Sequence, residues 1–110
     1  MLTQKNAIDI IRQFAKQIND SGIHLKRVVL YGSYSRNEQH TWSDIDVALV
    51  SDKFKGIGFY DIDLYGKTLI KKQFQDISPR TYKTKDFTPD KDPFVEEILK
   101  TGIEIVRPRK

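Results

Sequence analysis

The 110-residue chain has no cysteine, and its only histidines are His24 and His40. The first absence removes disulfide staples, thiolate nucleophiles and cysteine-held zinc, and two distant imidazoles are too few for a histidine-based zinc site. Any metal would therefore be held mainly by oxygen. No apolar run approaches the roughly 18 residues needed to cross a bilayer. The opening Met1-Leu2-Thr3-Gln4-Lys5-Asn6 is too polar to begin a secretory signal, so a soluble cytoplasmic protein with no membrane contact is expected. Internal repeats, low-complexity linkers, the Gly-x-x-x-x-Gly-Lys pattern and kinase signatures are also missing. With 38% hydrophobic content, residues 1–110 fit a single domain with one core.

The formal net charge of +4 favours an anionic partner, but Lys and Arg are spread along most of the chain. The densest basic cluster, Arg107-Pro108-Arg109-Lys110, has no interleaved aromatics and so gives weak grounds for nucleic-acid binding. A triphosphate substrate would use positive charge equally well.

Ala7, Ile8, Ile11, Phe14, Ala15 and Ile18 recur at helical spacing, and Asn19-Asp20-Ser21-Gly22 supplies a stop. Residues 26–31 read as a strand running into Gly32-Ser33, with a short helix expected over Tyr34 to Glu38. Asp44 to Val50 reads as a second strand, polar at one end and apolar at the other. Residues 51–60 read as a loop, Asp61 to Lys72 as a helix, and Phe74 to Tyr82 as a third strand bent at Pro79. Asp92 is placed to cap a helix with Pro93 at its first position. That helix directs Phe94, Val95, Ile98 and Leu99 inward, ends at Gly102 and leads into a strand over Ile103 to Val106. The expected fold is α/β (α+β), a small mixed sheet of about four strands with flanking helices.

Chemistry concentrates in Leu30-Tyr31-Gly32-Ser33-Tyr34-Ser35-Arg36 and in Ser43-Asp44-Ile45-Asp46-Val47. Side chains two apart on a strand share a face, so Asp44 and Asp46 project together while Ile45 and Val47 turn into the core. Two such carboxylates repel without a cation, and hard oxygen ligands favour Mg²⁺ or Mn²⁺. Gly32 permits close backbone approach, and amides after it, with the Ser33 hydroxyl, can take a phosphate. A phosphate cradle at one strand exit and a metal-binding pair on the next strand suit nucleotidyl transfer.

Gly32-Ser33, ten intervening residues and Asp44-Ile45-Asp46 resemble the signature of the polymerase beta-like nucleotidyltransferase superfamily. The fuller pattern, Gly-Ser-x-x-Arg then Ser-Asp-Ile-Asp, is similar to its small prokaryotic branch, the minimal nucleotidyltransferases. The resemblance implies a third carboxylate on a later strand, assigned to Asp76, which helps to bind metal and to deprotonate the acceptor. It also implies ATP as substrate and an antitoxin role: AMP transferred to a tyrosine of a HEPN-domain partner. Arg36 either contacts a phosphate or holds a neighbouring acid. Many relatives have glycine after that arginine; Asn37 in its place is a mild departure, because Asn tolerates left-handed backbone angles.

Asp61-Ile62-Asp63 repeats the spelling of the acid pair, but on a helix it reads as a solvated first turn. Tyr34 and Trp42 read as packing aromatics, and surface positions suffice for His24 and His40. Three alternatives stand beside the leading one. Transfer to a small molecule would need acceptor-binding residues that so short a chain supplies only as a homo-oligomer. A binding module would neutralise its partner by contact alone. A basic nucleic-acid-binding domain would leave the convergent acids unexplained.

Overall fold

The structure is a computed structural model that describes residues 2–107; of the basic cluster Arg107-Pro108-Arg109-Lys110, all but Arg107 lies outside the described residues. The first helix, α1 (Gln4–Asp20), buries Ala7, Ile11, Phe14, Ala15 and Ile18. Burial of each Ile or Phe contributes about 1.5–3 kcal/mol. That exceeds the few tenths separating most helix propensities, so the apolar stripe fixes the helix. Thr3 caps it reciprocally: the Asn6 amide donates to the Thr3 hydroxyl at 3.0 Å, and the Thr3 amide donates to the Asn6 side chain at 3.1 Å. The chain leaves α1 through Gly22, with a φ of 105°.

Strands β1 (Arg27–Tyr31), β2 (Ile45–Val50), β3 (Ile77–Tyr82) and β4 (Ile103–Val106) form one mixed sheet in the order β3-β2-β1-β4. β1 pairs antiparallel with β2 and β4, and β2 pairs parallel with β3. A parallel pair needs a crossover, supplied by α2 (Gly58–Leu69). The third helix, α3 (Pro93–Thr101), is capped by the Asp92 side chain, which accepts from the Phe94 amide at 3.0 Å.

Strand parity divides the core in two. Ile45, Val47 and Leu49 join Val28, Leu30 and the α1 stripe on one face, while Ala48 and Val50 join Val29, Tyr82, Val95 and Ile98 on the other. Helices thus cover both sides of the sheet, and odd-numbered β2 residues through Leu49 belong to the α1 side.

Several expectations are corrected, and Asp44, read as the first residue of the second strand, precedes β2. Tyr34 to Glu38 forms successive turns and no helix. α2 begins at Gly58, ahead of Asp61. Residues Lys72–Phe74 form a 3-10 turn, so β3 starts at Ile77 and Asp76 sits just before it. Pro79 lies within β3, where an edge strand tolerates its missing N–H. Finally, Val95 and Ile98 are buried as expected, but Phe94 and Leu99 lie at the rim of the α3 interface and stay partly exposed.

Candidate active site

β1 ends at Tyr31 and the chain turns through Gly32, whose φ of 79° is left-handed. A Cβ at Gly32 would collide with Oδ2 of Asp46 and stand 3.2 Å from its Cγ. The turn closes when the amides of Ser35 and Arg36 donate to the Gly32 carbonyl at 3.2 and 3.3 Å, and the Glu38 amide donates to the Ser33 carbonyl at 2.9 Å. Asn37 has a φ of 56°, the left-handed geometry that its residue type accommodates. From α1, the Gln4 side chain donates to the carbonyls of Tyr34 and Ser35 at 2.9 and 3.2 Å. Among the described residues, the amides of Ser33 and Tyr34 donate to no backbone acceptor outside the ladders and to no side chain. A run of turns, in place of the expected helix start, therefore offers free N–H groups that an anion can use.

Opposite Tyr31 in the ladder stands Asp46. It is half-buried on the α3 side, and Asp44, two residues earlier, is exposed. Burial holds the Asp46 carboxyl above its ordinary range, the charge of Asp44 raises it further, and Arg36 lowers it. The two acids are near enough for the charge of Asp44 to act on Asp46, although Asp44 itself precedes β2. The parallel register sets Ile45 beside Ile77 and Asp46 beside Ser78, and the Ile45 amide donates to the Asp76 carbonyl at 2.8 Å. Asp76 therefore follows Asp44 across the sheet. Its side chain is exposed, and together with burial its charge raises the Tyr34 phenol. Among the described residues, no group of three Asp, Glu or His side chains is gathered tightly enough to hold a metal ion. The structure thus brings Asp44 and Asp46 together and leaves Asp76 alongside.

Arg36 lies among acids. Its Nε donates to Glu38 at 2.7 Å, and its charge acts on Asp46. Tyr34 is buried at 2% exposure, a packing aromatic as read. Trp42 is not: it is 87% exposed, two residues before Asp44. A tight turn holds it out, with the Ser43 amide donating to the His40 carbonyl at 3.0 Å and the His40 amide to the Ser43 hydroxyl at 2.9 Å. His24 and His40 are exposed, as expected.

The solvated reading of Asp61 is also overturned. Asp61 is 1% exposed and accepts from the Lys55 and Gly56 amides at 2.8 and 2.9 Å and from the Thr81 hydroxyl at 2.7 Å. It ties the loop before α2 to β3. Asp63 is exposed, as a solvated turn requires. Tyr31 was not singled out as a site residue, yet burial and the Asp46 charge push its phenol up to about 12. Its place as the last β1 residue before Gly32 was the available signal.

A cavity of about 590 Å³ lies between Asn19, His24, Lys26 and Arg107, at the start of β1 and away from the acids. The acid pair instead occupies open surface where β1 ends and β2 and β3 begin.

A mixed sheet with a glycine turn after its first strand and a carboxylate pair opening the second has the architecture of a nucleotidyltransferase domain. The profile of the family described as "Polymerase beta, Nucleotidyltransferase" matches residues 5–110, and the chain belongs to that family. Among solved structures, a candidate nucleotidyltransferase from Sulfolobus solfataricus superposes with a TM-score of 0.65 at 15% identity, covering 92% of this chain and 80% of that one. A mutant of the toxin-antitoxin MntA-HpeT superposes with a TM-score of 0.57 at 18% identity, covering 98% and 76% of the two chains. A toxin-antitoxin with AMP-PNP gives 0.58 at 19% identity with the same coverage. At these identities the superpositions show a shared fold. No protein with a curated description matches the sequence significantly.

Proposed function

We propose that this chain is a metal-dependent nucleotidyltransferase that moves AMP from ATP to a hydroxyl of a partner protein, a tyrosine of a HEPN-type toxin that it thereby neutralises. The observation that carries the transfer chemistry is the contact of Gly32 with Asp46. The turn with free amides and the paired carboxylates meet at a position where any side chain would displace the acid. Family membership supports the reaction class, and the toxin-antitoxin structures of like fold support the setting.

The site fits a hard divalent cation in part. Asp44 and Asp46 supply adjacent oxygen donors whose mutual repulsion a cation would relieve. Asp76 would join them from the next strand. Bound Mg²⁺ or Mn²⁺ would polarise the α-phosphate and offset charge on the leaving oxygen.

The chain's own groups do the rest. The Ser33 and Tyr34 amides, with the Ser33 hydroxyl, take the triphosphate oxygens, and Arg36 adds positive charge beside Asp46. Asp76 accepts the proton of the acceptor hydroxyl. As the new oxygen–phosphorus bond forms at the α-phosphate, the bond to the β-phosphate oxygen breaks and pyrophosphate leaves.

The test is Mg²⁺-dependent transfer of label from α-labelled ATP, with wild type and Asp46→Asn, in the presence and absence of the protein encoded by the adjacent gene. Label on that protein with wild type only is the expected result. One observation favours a second reading: the three acids are not drawn together. A stable, neutralised complex formed equally by both versions, without label, would establish neutralisation by contact.

A further inference from the structure

In transfer at the α-phosphate, the attacking and leaving oxygens lie roughly in line, on opposite sides of phosphorus. The Gly32 turn stands against Asp46 from the β1 side, and in the mechanism proposed above this turn takes the leaving pyrophosphate. The acceptor must then approach over β3. On the α3 side of the sheet, β3 presents Ser78 beside Asp46 and, two residues on, Arg80 beside Ala48. Strand spacing and rise put the Arg80 Cα about 8 Å from that of Asp46, within the span of an arginine side chain.

The Arg80 guanidinium is held in place by aromatic rings and by a loose ion pair with Asp92. It lies 5.0 Å from the Phe94 ring centre and 5.8 Å from that of Tyr82, on the sheet face where Phe94 meets Tyr31 edge-on at 5.6 Å. Asp92 is its nearest acid, at 3.8 Å, which is too long for a hydrogen bond. The side chain is 52% exposed, and Phe94 beside it is 39% exposed. A planar fork with five N–H donors, lying over aromatic rings and half exposed, matches a carboxylate in two-point geometry.

We propose that Arg80, seated on Phe94, is a positioning residue for the acceptor: it pairs with a carboxylate next to the hydroxyl side chain of the acceptor polypeptide. The proposal rests on the transfer activity proposed above and adds the surface and chemistry that select the acceptor. Arg80 then acts on acceptor binding and leaves ATP binding alone.

The experiment is steady-state label transfer to the adjacent-gene protein, with acceptor varied at saturating ATP and ATP varied at saturating acceptor. Wild type, Arg80→Ala, Arg80→Lys and Asp92→Asn are compared after thermal melts confirm that each is folded. Arg80→Ala should raise the acceptor KM about 10-fold or more, as loss of a charge-assisted pair implies, with the ATP KM unchanged. Arg80→Lys should restore part of that loss, because an ammonium keeps the charge and loses the fork, and it carries the test if the alanine variant does not fold. Asp92→Asn keeps the helix cap and should not raise the acceptor KM.

An increase in the ATP KM with Arg80→Ala would assign Arg80 to the nucleotide and overturn the proposal. Unchanged constants in a wild type that transfers label would overturn it while leaving the activity intact. A wild type that transfers nothing would overturn both.

Discussion

Replacing Gly32 with Ala should separate catalysis from stability. The backbone there has a φ of 79°, and holding a residue with a Cβ in that region costs about 1–2 kcal/mol. The added carbon would also collide with Asp46 Oδ2 and sit 3.2 and 3.3 Å from its Cγ and Cβ. Carbon contacts prefer about 3.5–4.0 Å, so the carboxylate must retreat by roughly 1 Å. The carboxylate borders open surface and can do so, which limits the stability loss to about 1–3 kcal/mol in all.

Catalysis has no such freedom, since a misplacement of about 1 Å can cost roughly 100-fold in rate. Urea unfolding would report the first effect and label transfer from α-labelled ATP the second. A variant that unfolds at lower urea concentration but transfers at the wild-type rate would refute the claim that this contact sets the acid's position. A variant losing much more than 3 kcal/mol would show that the turn cannot relax as described.

Asp46→Asn should raise the melting temperature at neutral pH. Burial and Asp44 lift the Asp46 carboxyl in the folded state, so its ionised form opposes folding. The gain should be largest above the raised pKa and shrink as pH falls through the ordinary carboxylate range; a gain that grows on acidification would reverse the assigned sign. Asp61→Ala should cost about 3–5 kcal/mol in urea unfolding, because two amides and a hydroxyl lose a buried acceptor. Transfer per folded molecule should be retained, and selective loss of transfer would give Asp61 a catalytic part. Trp42→Ala should change stability by less than about 0.5 kcal/mol. In the wild type, acrylamide should quench this single tryptophan nearly as well before unfolding as after, and strong protection in the native protein would contradict its exposure.

Sheet and helix order were legible because each rests on short-range periodicity. Alternation along Ile45 to Val50 set the face of Asp46, and the Asp92-Pro93 cap marked the start of α3. What failed depended on partners distant in sequence. Asp61 reads as a solvated acid until Thr81 and the Lys55-Gly56 amides are set around it. Trp42 reads as a packing aromatic because nothing local shows that the His40–Ser43 turn directs it outward. The turns after Gly32 imitate a helix start because their first bonds, to the Gly32 carbonyl, are those of a nascent helix. The left-handed Asn37 ends the run. For Asp76, the Ile45 amide bonds its carbonyl, yet β3 starts at Ile77, three residues later than the reading from Phe74 supposed, and leaves Asp76 just outside the strand.

The division of β2 by parity has a consequence for how the site can fail. Ile45, Val47 and Leu49 are each 0% exposed against the α1 side, and that anchoring alone sends Asp46 to the opposite face. A slip of one residue between β1 and β2 would drive both acids into the apolar layer and turn Ile45, Val47 and Leu49 out of it, so no neighbouring register is tolerable. The carboxylate pair is therefore an all-or-none reporter of strand alignment. Partial unfolding should lower the number of competent molecules and leave the turnover of each remaining one unchanged.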